Sequence, residues 1–298
     1  MNNFYCSLMK CMYWGKHRKI SLLILLIAFF VSAPLKAESI VSDWFDDVGE
    51  TKWETGAAFA GLTTLGLASW EWGSSKSFRW NPEGFFGMDT GSGGADKLGH
   101  VFTSYLFTNI IADRLEHKGR SSGRAGLSAA ITTQLLMLYV ECFDAYSVDH
   151  GFSWEDCVMN LGGSGLAVVR RAIPRMRDLV DYRMEYLPSG YKGFRPFSDY
   201  SGQKYLLALK LGGIDRFADT PLRYFELHGG YYTRGFSREE KMDGLDRHRY
   251  GFVGIGINLG ELLLGHRTAA DSGLRNAGRM FFEHIQVPYT AIEDSEEF

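Results

Sequence analysis

Between positions 96 and 160 the chain places Asp96, Lys97, His100, Glu141, Asp144, Asp156 and Asn160 in or beside segments that otherwise read as apolar helices. A helix turns once per ~3.6 residues, so Asp96 with His100, Glu141 with Asp144, and Asp156 with Asn160 each share one face. Three helices can therefore aim polar groups at one point. Unpaired buried charge is costly, so a stable fold must pair these groups, bind a cation with them or leave them wet. The first two outcomes create a defined polar centre.

A chain of 298 residues, 45% hydrophobic and 22% charged, can bury a sizeable core and hold one large domain or two small ones. Residues 20 to 33, ISLLILLIAFFVSA, form an uncharged apolar run behind Lys16, Arg18 and Lys19. The run is shorter than the ~18 to 20 residues of a spanning helix, and Leu35-Lys36-Ala37 offers a cleavage site. Residues 1–37 thus read as a signal peptide cleaved after Ala37, with an uncleaved signal anchor as the alternative. Either way the expected location is exported, periplasmic or associated with an envelope membrane.

The same 37 residues carry five basic side chains and no acid, so their removal takes the net charge from −3 to −8. A chain that acidic does not suit nucleic-acid binding. Cys142 and Cys157 remain after the signal, and an oxidising compartment permits either a disulfide between neighbouring helices or two buried free thiols.

Residues 52 to 72 are nearly uncharged and carry Ala57, Gly61, Gly66 and Ala68, which predicts a helix whose small face admits a neighbour. A glycine-rich loop follows over 73 to 95. Further helices are expected from about Asp96 to Glu116, from about Arg124 to Tyr146, and from about Ser153 until Pro174 stops the last. Four helices joined by loops suggest a bundle, either soluble or membrane-associated. Beyond Pro188-Ser189-Gly190 the pattern changes to strands at Tyr205 to Leu211, Tyr224 to Tyr232 and Phe252 to Leu259, the last alternating with period two. The expected fold class is α+β: a helical core domain over 38–190, and a β-rich region over 191–298 forming a small antiparallel sheet. The ending EDSEEF reads as an acidic frayed tail.

Each polar residue also has a plain structural explanation. Asp96 stands where a capping carboxylate belongs, and Ser153 with Asp156 has the spacing of a capping box. Glu141 and Asp144 end an apolar helix, where the macrodipole disfavours acids, so Lys97, protonated His100 or a metal is expected beside them. A histidine among carboxylates suits Mn, Zn or Fe, and the metal-ligand candidates are His100, Glu141 and Asp144. The same residues also satisfy an ion-pair network. Asn160 would orient a carboxylate or a substrate oxygen, or make an interhelical amide bond. Gly94 to His100 lacks the Lys-Ser/Thr of a P-loop, and neither H-E-x-x-H nor G-x-S-x-G occurs. Gly162-Gly163-Ser164-Gly165 reads as a close-packing surface rather than a phosphate cradle.

The run Asp96-Lys97-Leu98-Gly99-His100, then Glu141-x-x-Asp144, then Gly151-Phe152-Ser153-x-x-Asp156-x-x-x-Asn160-x-x-Gly163 resembles the YfiM-like domain-of-unknown-function family of predicted periplasmic lipoproteins over about residues 90 to 170. More distantly, the order Asp-Lys-x-x-His, Glu, Asp-x-x-x-Asn is similar to the VanZ-like membrane proteins. Both resemblances imply a helical envelope protein whose seven motif residues form a polar centre, and neither supplies a reaction. No cysteine follows the apolar run where a lipoprotein would carry one. The expected function is binding or structural, with the membrane or another envelope protein as partner. The alternative is a metal-dependent hydrolase of an envelope lipid or cell-wall precursor, in which His100, Glu141, Asp144 and Asp156 are the catalytic candidates and a divalent cation the cofactor.

Overall fold

The computed structural model describes residues 37–191, 193–266 and 273–298; the signal sequence expected at 1–37 lies, but for Ala37, outside the described residues. The chain divides into two compact units, Met1–Gly49 and Glu50–Phe298. Helix α1, Ala37–Glu50, lies almost wholly in the first, and the second holds every other element.

Four long helices lead the second unit: α2 (Lys52–Ser69), α3 (Ala95–His117), α4 (Ser122–Asp144) and α5 (Trp154–Ala172). Their starts are chemically defined. Ser121 caps α4 by accepting the Arg124 N–H, and Ser153 caps α5 by accepting the Asp156 N–H, each satisfying a donor the helix cannot. Gly94 precedes α3 at φ 93°, a left-handed turn that suits glycine, and a Cβ there would meet the Phe86 ring. Helix α5 ends at Ala172, and Pro174 opens the short helix α6, Pro174–Leu179, as its first residue rather than merely ending helicity. Helices α3 and α5 approach closely at Gly163, where a Cβ would lie 2.1 Å from the Val101 carbonyl oxygen. Among the described residues α4 alone is long and apolar enough to cross a membrane, yet more than half of that window is buried within the protein.

The sheet is larger than the pattern suggests and is mixed rather than wholly antiparallel. Strands β1 (Val180–Tyr186), β2 (Gln203–Lys210), β3 (Phe225–Arg234), β4 (His248–Ile257), β5 (Ile285–Gln286) and β6 (Ala291–Glu297) take the order β5-β1-β2-β3-β4-β6. All neighbours are antiparallel except β1 and β5. Strand structure begins at Val180, ahead of the Pro188 boundary. The supposed frayed tail belongs to β6, whose Glu293 to Glu297 pair with Gly254 back to Tyr250. Backbone pairing outweighs the low strand propensity of its acids. Helix α7, Gly273–His284, leads into β5.

Tyr182, Met184 and Tyr205 of β1 and β2 pack with Phe102 and Tyr105 of α3 and Ala167 of α5 to form the main core. Burying one such aromatic contributes roughly 1.5–3 kcal/mol. Farther along the sheet the usual arrangement inverts. Leu209, Leu227, Ile255 and Ile292 stand side by side across four strands, and all are exposed. The opposite face buries Arg183 between Asp181 (2.7 Å) and Glu226 (2.5 Å), with Lys210 2.9 Å from Asp181 and His228 2.9 Å from Glu226.

Two local expectations change. Gly61 of α2 faces open space rather than a neighbouring helix, and with Ala57 and Ala58 it lines a cleft. Cys142 and Cys157 are both free, and Cys142 is exposed rather than buried.

Candidate functional site

Lys97 is the best-partnered charge on α3. Its side chain is 1% exposed, and Nζ lies 2.7 Å from Glu83, 2.7 Å from Asp96 and 2.8 Å from Asp156. Burial works against the ammonium, but Asp156, Asp96 and Glu83 together outweigh it and hold the lysine protonated beyond its ordinary range. Asp96 does not cap α3; its carboxylate accepts from Lys97 and from the Ser92 hydroxyl, while its own N–H donates to that hydroxyl (3.2 Å). Burial opposes its charge, and Lys97 nonetheless pulls its pKa below the ordinary value.

His100 lies one turn beyond Asp96 and Lys97. Its Nδ1 is 3.1 Å from Asn160 Oδ1 and 3.6 Å from Glu141 Oε1, while Nε2 is 3.7 Å from Asp156 Oδ1. Asn160 Oδ1 also accepts the Ser104 hydroxyl at 3.0 Å, so it is an acceptor and His100 Nδ1–H the donor. The backbone around Asn160 is held in turn by Gln134, whose Nε2 donates to the Asn160 carbonyl (3.0 Å) and to Ser164 Oγ (2.7 Å). Burial disfavours the imidazolium, but Asp156 and Glu141 dominate and raise the pKa to about 9.

Glu141 joins three helices at one carboxylate. It ends α4, its Oε2 accepts the Ser153 N–H that precedes α5 (3.3 Å), and its Oε1 faces His100 of α3. Burial raises its pKa to about 8 despite His100. Asp144 turns elsewhere: Oδ1 accepts the Trp72 indole N–H at 2.6 Å, and burial raises its pKa. Asp156, not Asp144, therefore stands with His100 and Glu141 as three potential ligands whose atoms lie within 4.8 Å of one another. A second such group, Glu83, Asp96 and Asp156, surrounds Lys97 Nζ and is already filled by that ammonium.

The structure thus brings Asp96, Lys97, His100, Glu141, Asp156 and Asn160 into one hydrogen-bonded and ion-paired set, with Asp144 at its margin. Glu83 is a member that helical spacing does not reveal, since it lies in the loop between Pro82 and Gly84; burial raises its pKa to about 7. Five carboxylates share the cations Lys97 and His100, with His150 beside Asp144, so full ionisation of the acids would leave a surplus of negative charge. Such a surplus attracts protons or a cation.

A cleft of about 560 Å³ opens onto this set. Its walls are apolar, with Ala57, Gly61, Leu62 and Leu65 from α2, Leu106, Phe107 and Ile110 from α3, and Met137 and Val140 from α4. Asp96, His100, Asp144 and His150 supply polar groups to the same lining.

Residues 82–172 match the family described as predicted periplasmic lipoprotein (DUF2279). This is the family that the motif pattern resembles, and the DUF2279 segment runs from the loop bearing Glu83 to the last residue of α5. It contains every member of the polar set. The protein is accordingly periplasmic or envelope-associated. No curated protein and no solved structure matches the chain significantly.

Proposed function

We propose that this envelope protein binds an amphiphile, with the apolar part in the cleft and a hydrogen-bond-donating head against the acids around His100. The observation that carries this reading is the cleft itself, whose long apolar walls lead to a few convergent polar groups. Its volume lies within the roughly 300–1,000 Å³ of small-molecule sites, which share this composition. The membrane is the natural source of such a ligand. The exposed row Leu209, Leu227, Ile255 and Ile292 gives the protein an apolar face for meeting it.

Titration of the full chain with dodecylamine, followed by displacement of a fluorescent apolar probe, tests the reading. Saturable displacement is expected. Gly61→Trp, which projects a ring into the cleft from a position where a Cβ meets nothing within 4 Å, should weaken it at least tenfold without unfolding the protein. Absence of saturable displacement, or an unchanged affinity in a folded Gly61→Trp variant, refutes the proposal.

A second reading, metal-assisted hydrolysis of a phosphate or carbonyl ester in such an amphiphile, has one observation in its favour. The unbonded Oε1 of Glu141 and the Oδ1 of Asp156 lie 3.6 and 3.7 Å from the His100 ring nitrogens, on the set that the cleft reaches. Turnover of an ester lipid on addition of Zn²⁺ or Mn²⁺, abolished by His100→Gln, is its expected outcome, and a protein that binds metal and lipid but releases no product excludes it.

A further inference from the structure

We infer that His100, Glu141 and Asp156 bind one divalent transition-metal ion of the Zn²⁺ or Mn²⁺ type. The inference does not rest on the amphiphile reading, because the three side chains come together whether or not the cleft is filled.

The first argument is that a buried acceptor lacks a donor. Glu141 is 1% exposed and its Oε1 has no hydrogen-bond partner in the structure, the facing His100 Nδ1 being 3.6 Å away, whereas Asp156 Oδ1 is met by the Lys97 ammonium at 2.8 Å. A buried carboxylate oxygen without a donor is costly, and native folds rarely tolerate one without an ion or water to satisfy it. Glu141 Oε2 is already engaged by the Ser153 N–H, which fixes the carboxylate and leaves Oε1 directed at the imidazole.

The second argument is the orientation of His100. Asn160 Oδ1 takes the Nδ1 proton, so in the neutral ring Nε2 carries a lone pair, and it faces Asp156 Oδ1 at 3.7 Å. The gap between them suits a single positive charge, supplied in the metal-free protein by a proton on Nε2 and by a metal ion in its place. A metal 2.0–2.2 Å from nitrogen and oxygen ligands sets those ligands about 3–4 Å apart, close to the 3.7 Å between Nε2 and Asp156 Oδ1, and Glu141 completes a set of ligand atoms within 4.8 Å of one another. The bond from Nδ1–H to an oxygen is also what orients a metal-binding histidine in known sites.

The third argument is charge. Lys97 is committed to Glu83, Asp96 and Asp156 at 2.7–2.8 Å, so it neutralises only part of Asp156 and does not reach Glu141 by any ion pair in the structure. A divalent ion at the triad would balance Glu141 and the remainder of Asp156. One imidazole with two carboxylates suits Zn²⁺, Mn²⁺ or Fe²⁺ better than Ca²⁺, which prefers an all-oxygen cage. His100 lines the end of the cleft, the side from which water or a substrate oxygen would approach the ion.

Calorimetric titration of the metal-free full chain with Zn²⁺ and with Mn²⁺ tests the assignment. One equivalent of at least one ion should bind, with affinity falling at least tenfold in Glu141→Gln and in His100→Gln. Asn160→Leu should weaken binding through loss of orientation. Glu83→Gln, whose side chain is held by Lys97 and Asn81 and is bonded to none of the three ligands, and Gly61→Trp, which obstructs only the cleft, should retain it. Should either triad variant fail to fold, Co²⁺ bound to the wild-type chain provides a second readout through its visible d–d bands and a shifted His100 ¹⁵N resonance. No saturable binding of Zn²⁺ or Mn²⁺, equal affinity for Ca²⁺, unchanged affinity in folded Glu141→Gln, or a His100 resonance indifferent to Co²⁺ would each overturn the site. Loss of metal binding with amphiphile binding intact would leave the proposed function standing, and the converse would leave the metal site.

Discussion

His100 donates from Nδ1 to Oδ1 of Asn160 at 3.1 Å, across the α3–α5 interface that Gly163 makes close. The direction is fixed by Ser104, whose hydroxyl donates to the same oxygen. Carboxylates raise the His100 pKa to about 9 against the opposing effect of burial, so in metal-free protein the ring is doubly protonated at neutral pH. Above about pH 9 the remaining proton should sit on Nδ1. ¹⁵N-histidine spectra check this, and a neutral ring protonated at Nε2 contradicts the arrangement.

Lys97→Met should be among the most destabilising single changes in the helical layer. It removes the shared cation of Glu83, Asp96 and Asp156 and leaves three carboxylates close together. Breaking a buried pair from one side costs about 3–5 kcal/mol, and urea denaturation at pH 7 should show a loss of that order. A loss under 1 kcal/mol would mean that water already satisfies the acids.

Two glycines on facing terms with the site should respond oppositely to alanine. At Gly163 the new methyl meets the Val101 carbonyl oxygen, a backbone atom, at 2.1 Å, so α3 and α5 must separate at a cost of about 1–3 kcal/mol. At Gly61 it meets nothing within 4 Å inside a helix, and the change should stabilise by about 0.5–1 kcal/mol. Denaturation midpoints of the two variants decide the matter.

A pH dependence should come from His284 of α7. Its Nδ1–H donates to the Met280 carbonyl (2.7 Å) and its Nε2 accepts from Asn109 Nδ2 (3.2 Å), with Asn109 oriented by the Arg171 Nε bond to its Oδ1 (3.1 Å). Burial lowers its pKa below the ordinary 6.5. Above pH 6.5 both folded and unfolded rings are neutral and nothing is lost. Below it the unfolded chain takes a proton that the folded chain refuses, so stability falls by up to about 1.4 kcal/mol per pH unit until the folded pKa is reached. Comparing urea midpoints of wild type and His284→Gln at pH 5 and pH 7 isolates this contribution, and parallel pH profiles would rule it out.

Helical spacing alone is enough to see that Asp96 and His100, and Asp156 and Asn160, share faces, because that relation depends only on the turn of the helix. It cannot choose between Glu141 and Asp144 as the partner of His100. The choice is made by the chain entry to α5, which brings Ser153 over Glu141, and by Trp72, which takes Asp144. Glu83 is invisible in any periodicity, since a loop residue reaches Lys97 only through the tertiary fold. Strand β1 is obscured for a different reason. Its sequence VDYRMEY alternates aromatic or apolar residues with charges, as a solvent-washed strand would, yet Asp181 and Arg183 are buried in ion pairs.

The parallel pairing of β5 with β1 joins Met184 to Ile285, and β6 closes the far side of the sheet against β4. Both margins of the four strands β1 to β4 are therefore covered by segments from Ile285 onward, β1 over two residue pairs and β4 over seven. A chain delivered across a membrane N-terminus first exposes strands β1 to β4 with unpaired borders until those segments emerge. Unpaired borders recruit foreign strands, so completion of folding is tied to completion of translocation, and a chain arrested before Ile285 would be a target for aggregation or envelope proteolysis.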